Sequence, residues 1–556
     1  MQGLELILIL LAVAAGLRLA ADRFSVPFPT LLVLGGLVLA VMPGLPSVEL
    51  NPDVVFFIFV PPLLYWAALT TSYRDFRRNL RSISLLGVGL VLMTMSVTAW
   101  VAHTLIPELT WAAAFTLGAI VSPPDAVAVT SITRRLGVPR VVVTILDGEG
   151  LLNDATAFVA YRMAVAAVVA GTFSIWEASS RFVWTAAGGI ALGLTIGWLI
   201  GRLRRLIGRA SVVENTISLL TPFAVFIPAE RLGLASVLAV VAAGLYLGRK
   251  GPRFVSADTR LQAQAMWEML VFILEGLIFI IIGLELPLVR RAIVGHSLPT
   301  LLLDAALISA VLIAVRIIWV FPGTYLPRFV RRKMGKRDSY PPWRQVFFVG
   351  WAGIRGGDSL VIALALPLVT NTGTPFPGRD LIIILTFAII LVTLVLQGFT
   401  LTPILRLLKL HGDDEDEQEE AAARLKTAQV GLQSLSEMAV KDSADSTVIE
   451  NLREKYEHRV HKLSTTNQDG EAKRDQEKAK AYNRIRRRMI AAEREEVIRL
   501  RDEDEISDDV MRTIQQDLDL EEVLLSDSEW ADAPRQEDDE ATKDIPEKDS
   551  VDAQGK

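Results

Sequence analysis

The feature that most constrains this chain is a succession of long apolar runs separated by short polar loops. About 20 apolar residues wound into a helix cross the roughly 30 Å hydrocarbon core of a bilayer. Helices are favoured there because each satisfies its backbone hydrogen bonds internally. The sequence therefore predicts an all-α polytopic membrane protein with about 13 transmembrane helices, at 2–22, 26–45, 53–71, 80–104, 111–133, 140–170, 182–201, 213–229, 232–248, 265–289, 298–324, 345–370 and 380–408.

The composition changes abruptly near residue 410. Residues 1–410 are predicted to form the transmembrane domain, and the strongly charged residues 411–556 a cytoplasmic tail that is partly helical and partly disordered. The chain has no Cys, which excludes disulfides and thiolate metal sites. Nucleic-acid binding is not indicated, because the net charge of −5 sums a basic membrane part and an acidic tail.

The distribution of Lys and Arg among the loops predicts the orientation. Basic loops follow the predicted spans 3, 5, 7, 9 and 11, whereas the intervening loops carry few basic residues apart from Arg290 and Arg291. Loops rich in Lys and Arg stay in the cytoplasm. We therefore expect a multi-pass protein of the bacterial plasma (inner) membrane, with its N-terminus outside and its tail in the cytoplasm.

Parts of the tail carry recognisable patterns. Residues 483–502 are predicted to be helical, since Glu and Arg recur at three- and four-residue spacing. Ser507 is predicted to be the N-cap of a short helix that carries Val510, Ile514 and Leu518. The acidic run 411–417 and the residues beyond Trp530 are predicted to be disordered. A regulatory or dimer-contacting module and a plain charged spacer both remain open, and no ligand of the tail is indicated.

Two of the predicted spans are interrupted. Span 5 contains Pro123-Pro124, and span 12 contains the run Gly353-Ile354-Arg355-Gly356-Gly357-Asp358. The two spans are seven apart, so they cross the membrane in opposite directions. Broken helices at matching positions of two halves are typical of transporters built from inverted repeats. The alternative is that proline and glycine only kink two packed helices.

Several carboxylates lie inside these apolar runs, where a charge is costly and by default indicates function. Asp154 is about 14 residues, or roughly 20 Å, from the start of its span. It is predicted to face Ser122 and Asp125 beside the first break, where Pro123 frees backbone carbonyls. Hard cations prefer such oxygen ligands. Asp154, Asp125 and Ser122 are therefore the candidate cation ligands, and ion or proton translocation is the predicted activity.

Glu149 precedes Asp154 by five residues and points about 140° away from it, so a different role is expected. With Asn153, four residues on, it is predicted to face a neighbouring helix and organise the site. A buried Glu needs a partner or a proton, and Arg316, alone in an apolar run, is the candidate.

Two further intramembrane charges leave alternatives open. Arg355 is predicted to neutralise helix-end carbonyls at the second break. Glu275 either pairs with Arg316 or Arg355 or stays protonated. Each of these charges also has a plain reading as part of a buried, satisfied pair.

These motifs together resemble those of monovalent cation/proton antiporters of the sodium/proton exchanger type, in their bacterial branch. The resemblance covers the membrane part and tail residues 484–522, and it is carried by Leu117–Ala128, Gly148–Asp154, Gly350–Gly357 and Gln397–Leu401.

The resemblance implies a homodimer whose protomers combine a dimerisation domain with a core of inverted six-helix repeats, in which two unwound helices cross. Residues 1–410 would be the exchange domain and 411–556 a regulatory tail. Asp154 would bind cation and proton in turn, Glu149 would be held by Arg316, and exchange of Na⁺ (or Li⁺ or K⁺) for H⁺ would be electroneutral. The transported ions are substrates; no cofactor and no enzymatic activity are expected.

Two departures from the resemblance stand out. The stretch Pro61–Ala68 lacks the acid that many relatives carry on the third span, and Asp358 is an additional acid. Asp358 is either a second proton or cation ligand or a partner of Arg355. The rival functions are a K⁺/H⁺ antiporter, an intramembrane aspartyl protease using Asp358 and Asp154, and a channel-like sensor.

Overall fold

A computed structural model describes most of the chain, in segments separated by short gaps. The described residues are 2–24, 26–42, 52–133, 138–171, 175–207, 210–251, 255–292, 297–334, 340–410, 414–441, 446–465, 471–503, 505, 510–511, 514–515 and 517–522. By contacts, the chain divides into two units, Met1–Asp413 and Asp414–Lys556.

The described regular structure of the first unit is helical. Val369 and Pro375 form an isolated β-bridge in a loop. The helices are α1 Gln2–Phe24, α2 Phe28–Val41, α3 Pro52–Thr70, α4 Tyr73–Ser84, α5 Val91–Leu105, α6 Trp111–Val121, α7 Ala126–Thr133, α8 Arg140–Ala170, α9 Ile175–Ile207, α10 Ser211–Arg231, α11 Ser236–Lys250, α12 Ala257–Leu284, α13 Leu286–Ala292, α14 Leu298–Lys333, α15 Trp343–Trp351, α16 Gly357–Leu364 and α17 Arg379–Leu408, with a π-helical segment Leu85–Leu90 joining α4 to α5.

This all-helical architecture confirms the predicted fold class. Seven helical stretches among the described residues are long and apolar enough to cross a membrane, and three shorter apolar helices accompany them, at Phe28–Val41, Val55–Thr70 and Trp111–Val121. Each of the predicted apolar runs overlaps at least one helix. The exact number of 13 spans stays a prediction.

Helices pack in two groups. The first group is α1–α3 with α9–α12, and the second is α4–α8 with α14–α17; most close packing lies within a group. Small residues permit the closest approaches: a Cβ added to Gly193 on α9 would lie 2.1 Å from the Ala239 carbonyl oxygen of α11, and one on Gly118 of α6 would lie 2.4 Å from that of Met95. Fewer contacts join the groups, chiefly between α3 and α16 and between α8 and α11.

The second unit contains three described helices, α18 Asp414–Lys441, α19 Ser446–Thr465 and α20 Glu471–Asp502. α20 contains the predicted helix 483–502. The expectation that 411–417 is disordered is wrong for 414–417, which form the first turn of α18. Ser507 and the residues beyond Trp530 lie outside the described residues, so those predictions stand as made.

Within this unit α20 is held to residues 517–522 by ion pairs. Arg486 donates two hydrogen bonds to Glu521, at 2.6 and 2.7 Å, and Arg494 pairs with Asp519 and Glu522. The hydrogen bonds from Arg486 hold the pKa of Glu521 below its usual range.

Candidate functional site

The two interrupted helices meet inside the second helix group. The first break separates α6 from α7 at 122–125, and the second separates α15 from α16 at 352–356. The backbone N–H of Asp125 in the first break donates a 2.7 Å hydrogen bond to the Ile354 carbonyl in the second. Backbone groups that lose their helical partners at each break are thus partly satisfied by the other break. The crossing of two broken helices is a feature of the structure.

Arginines lie at the C-terminal ends of the half-helices that run into the crossing. Arg355 Nη1 donates a 2.9 Å hydrogen bond to the carbonyl of Ser122, the C-cap of α6. Arg316 Nε donates at 3.2 Å to the carbonyl of Val349 in the last turn of α15. Helix C-termini carry partial negative charge and unpaired carbonyls. Both guanidinium groups, which are almost fully buried, therefore offset charge that the breaks create.

The opposite, N-terminal ends of the half-helices hold a carboxylate. Asp125 Oδ1 accepts a 3.2 Å hydrogen bond from the Ala128 N–H, in the geometry of an N-cap on α7. Its other oxygen, Oδ2, lies against Gly356, which caps α16: a Cβ there would come within 2.2 Å of it. Asp125 is thus placed beside the positive ends of two half-helices, and glycine at 356 makes the approach possible.

The unbroken helix α8 is attached to both breaks. Glu149 accepts two hydrogen bonds from Arg316, at 2.5 and 2.9 Å, and both side chains are about 1% exposed. One turn further along, Asn153 Nδ2 donates a 3.0 Å hydrogen bond to the carbonyl of Pro124 in the first break. Glu149 and Asn153 share one face of α8, as their four-residue spacing requires. Through these contacts, this face of α8 is attached to Arg316, which bonds to the end of α15, and to the first break between α6 and α7.

Asp154 lies on a different face of α8 from Glu149 and is partly exposed. No hydrogen bond or ion pair connects it to another residue in the described part of the chain. Asp358, Asp125 and Glu149 are the acids whose charges act on it. Beside it on the first break, Ser122 and Pro123 are buried. Ser122 donates its hydroxyl proton to the Ala119 carbonyl at 3.0 Å, which leaves lone pairs on its oxygen.

One suggested pairing, that of Arg355 with Asp358, is not found in the structure. Arg355 bonds to the Ser122 carbonyl through its side chain and to Thr393 through its backbone, so it does not pair with Asp358. Its Nε has no hydrogen-bond partner among the described residues. The hydrogen bonds of Arg316 go to Glu149 and Val349, and the partner of Glu275 on α12 stays a prediction. Asp358 instead occupies the first turn of α16, close enough to Asp125 and Asp154 to repel both.

Sequence reasoning assigned no role to three polar side chains that belong to the site. Gln397 of α17 donates a 2.8 Å hydrogen bond to the Trp351 carbonyl, and Thr393 accepts the Arg355 N–H at 3.2 Å. Thr130 of α7 donates at 2.8 Å to Asp147, which precedes Asp154 by seven residues on α8. The seven-residue spacing between Asp147 and Asp154 could have indicated that Asp147 belongs to the site, because side chains seven residues apart lie on nearly the same helix face. In the described residues no cluster of three or more His, Cys, Asp or Glu side chains forms a metal site.

Comparisons with known proteins give the same picture. The family model "Sodium/hydrogen exchanger, transmembrane" matches residues 7–407. A protein of Mycobacterium tuberculosis named an uncharacterized Na⁺/H⁺ exchanger is 37% identical over 529 residues, covering 94% of this chain and 96% of that protein. The sodium, potassium, lithium and rubidium/H⁺ antiporter of Bacillus subtilis is 30% identical, covering 94% of this chain and 78% of that one.

Among solved structures, the sodium proton antiporter MjNhaP1 from Methanocaldococcus jannaschii matches with a TM-score of 0.57 and 19% identity, over 74% of this chain and 98% of that one. At that identity the likeness shows the fold. With the family model covering almost the whole membrane part and a close relative spanning nearly its full length, the chain belongs to the sodium/hydrogen exchanger family of transmembrane proteins.

Proposed function

We propose that the protein is a secondary active antiporter that exchanges cytoplasmic Na⁺, Li⁺ or K⁺ for protons by alternating access, with Asp154 as the shared cation and proton site. The observation that carries this proposal is that the acids at the crossing differ in whether they have a fixed hydrogen-bonded partner. Glu149 is neutralised by Arg316, and Asp125 caps a half-helix. Asp154 lacks any such fixed partner in the described residues, so a mobile positive ion has a place to bind.

Asp358 also lacks a hydrogen bond to any residue that the structure describes, but its position differs. It lies in the first turn of α16, where the helix dipole favours a negative charge. Asp154 lies in the middle of α8, where no helix end offers this support. Asp154 therefore depends more on a bound proton or cation, which is the property a coupling carboxylate needs.

The mechanism follows from the cost of moving a bare carboxylate through a low-dielectric layer. A proton and a dehydrated cation compete for Asp154 and cannot both occupy it. When either is bound, the second helix group, which carries α8 and the crossing, can move past the first group. When neither is bound, the uncompensated charge opposes this motion. Cations and protons are therefore exchanged for one another, and neither crosses the membrane without the other.

The cation ligands proposed beside Asp154 are oxygens of the first break. Asp125, the Ser122 hydroxyl and carbonyls near Pro123 supply hard oxygen donors of the kind that alkali cations prefer. Asn153 positions the break through its hydrogen bond to Pro124. Asp358 is proposed as an additional acid of the same site.

The exchange is proposed to be electroneutral, one cation for one proton. K⁺/H⁺ exchange is the second candidate, favoured by the Bacillus subtilis relative, which is named as an antiporter of sodium, potassium, lithium and rubidium. The protein is proposed to act as a homodimer in the bacterial inner membrane with its tail in the cytoplasm, where the tail regulates exchange.

The test is cation-driven proton movement in proteoliposomes, with Na⁺, Li⁺ and K⁺ compared at several pH values. Asp154→Asn is expected to abolish exchange with all three cations. Asp304→Asn is the matched control, because Asp304 is also a buried acid of this domain but lies on α14, outside the crossing. Its exchange is expected to stay near that of the native protein.

Persistent exchange by Asp154→Asn, reconstituted at the same level as the control, would contradict the proposal. Ion flux far above exchanger turnover would instead support a channel, and peptide cleavage lost in Asp358→Ala would support a protease. A membrane potential that alters the exchange rate would reject electroneutral stoichiometry.

A further inference from the structure

A basic cavity lies where α4 begins and α11 ends, and none of its lining residues belongs to the crossing. It is open, has a volume of about 660 Å³, and is lined by Tyr73, Arg74, Arg77, Arg78 and Arg249. No acidic side chain is among these lining residues. The cavity concentrates four formal positive charges, and neither the cation site nor its gating explains them.

The arginines of α4 are placed as a set. Arg74, Arg77 and Arg78 stand at positions i, i+3 and i+4, so they share one face of the helix, where like charges at this spacing repel one another. Arg77 and Arg78 form no ion pair with any described residue. Asp75, the acid of α4, points elsewhere and accepts a 2.8 Å hydrogen bond from Arg140 of α8.

The remaining wall of the cavity comes from the other helix group. Arg249, in the last turn of α11, lies over the ring of Tyr73 with its guanidinium carbon 4.4 Å from the ring centroid. This cation–π contact holds the guanidinium in place without neutralising its charge. A pre-positioned charge from α11 therefore faces the charges of α4, in the arrangement of a built anion site.

The position of the cavity relative to the membrane selects the kind of anion. Helix α4 continues through the π-helical segment into α5 as a single helical stretch, Tyr73–Leu105, which contains an apolar window long enough to cross a bilayer. The arginines occupy its first two turns, at the membrane boundary. Leu80, on the next turn, is 44% exposed and offers an apolar surface for an acyl chain beside the charges. A soluble phosphate has no apolar part that could pack against that surface.

We propose that this cavity binds the phosphate headgroup of an anionic phospholipid on the membrane side that the basic loops predict to be cytoplasmic. Basic pockets between transmembrane helices suit such headgroups. The bound lipid bridges α4, which packs on the Asp154 helix α8, and α11 of the first group. The site does not depend on the identity of the transported cation.

The test is native mass spectrometry of the full chain in detergent with equimolar phosphatidylglycerol and phosphatidylcholine. The pocket variant is Arg77→Gln/Arg78→Gln/Arg249→Gln. The control, Arg331→Gln/Arg332→Gln/Lys333→Gln, removes the same charge at the end of α14. Each basic residue contributes about fivefold to headgroup affinity, so the pocket variant is expected to lose roughly 100-fold in phosphatidylglycerol retention, whereas the control keeps the native preference over phosphatidylcholine.

Native-like retention by the pocket variant would overturn the proposal, as would an equal loss in the control, which would indicate non-specific charge attraction. Displacement of phosphatidylglycerol by millimolar inorganic phosphate would assign the cavity to a soluble anion instead. If the triple variant fails to fold, Arg249→Gln alone removes one exposed charge and is expected to lower retention about fivefold; an unchanged value there rejects the site.

Discussion

The buried pair of Glu149 and Arg316 gives the sharpest test of how the crossing is held together. Arg316→Ala removes both hydrogen bonds to Glu149 and the one to the Val349 carbonyl. Glu149, about 1% exposed, is then a buried acid without its partner. Breaking a buried pair from one side costs about 3–5 kcal/mol, because the remaining charge is uncompensated.

This cost can be converted into a change of melting temperature. Unfolding entropy near the midpoint is about 2.1 cal/mol/K per residue. For the 413 residues of the first unit this amounts to roughly 0.9 kcal/mol/K, so 3–5 kcal/mol lowers the midpoint by about 4–6 °C. The double variant Glu149→Gln/Arg316→Ala removes the buried charge as well and is expected to recover most of that loss.

The assay is the thermal midpoint of the detergent-purified protein, followed by the loss of its monodisperse elution peak. Arg18→Ala is the matched control, since Arg18 and Asp22 form an ion pair 3.4 Å apart whose side chains are 40% and 47% exposed. Exposed pairs contribute at most about 1 kcal/mol, so its midpoint is expected to move by about 1 °C or less. A midpoint for Arg316→Ala as close to native as that of the control would refute the reasoning, and so would a double variant no more stable than the single one.

Further predictions concern the backbone of the crossing. Gly356→Ala is expected to abolish both exchange and folded yield, because its Cβ would lie 2.2 Å from Asp125 Oδ2; Gly16→Ala, with open space around the new methyl group, is expected to leave both unchanged. Yield and proteoliposome exchange measure this, and a fully active Gly356→Ala protein would contradict it. Asn153→Ala leaves the Pro124 carbonyl in the first break without its 3.0 Å donor, at a cost of about 1–3 kcal/mol. If that cost falls on cation binding, the KM for Na⁺ rises at least about fivefold, and an unchanged KM would contradict the positioning role.

The helices and the two interruptions could be predicted from sequence because they follow from simple physical limits. A bilayer of fixed thickness dictates run length, and proline and glycine mark the places where helical hydrogen bonds fail. The pairing of Glu149 with Arg316 was predictable for a related reason. Few cations lie at membrane depth, and a buried acid must have one of them or a proton.

Other contacts at the site were not predictable, because periodicity ends where the helices unwind. On a regular helix, spacing gives the face of each residue, which is how Glu149 and Asp154 were separated correctly onto different faces of α8. Inside a break the dihedral angles follow no repeat. Spacing therefore could not predict that Arg355 bonds to the Ser122 carbonyl and not to Asp358. Nor could it predict that Asp125 caps α7.

The formal charges at the crossing bear directly on stoichiometry, and Asp358 is where this can be tested. Arg316 pairs with Glu149, and Asp125 caps α7, which leaves Asp154 and Asp358 as the two acids of the crossing without a hydrogen-bonded partner among the described residues. If both must be neutralised in every cycle, more than one proton moves per Na⁺ and exchange is electrogenic. If the helix dipole of α16 supports the charge of Asp358, only Asp154 cycles and exchange is electroneutral. On the second argument, Asp358→Asn keeps the rate insensitive to membrane potential, because only Asp154 binds and releases a proton in each cycle. Potential-dependent exchange in the native protein that becomes potential-independent in Asp358→Asn would establish the first argument and reject the second.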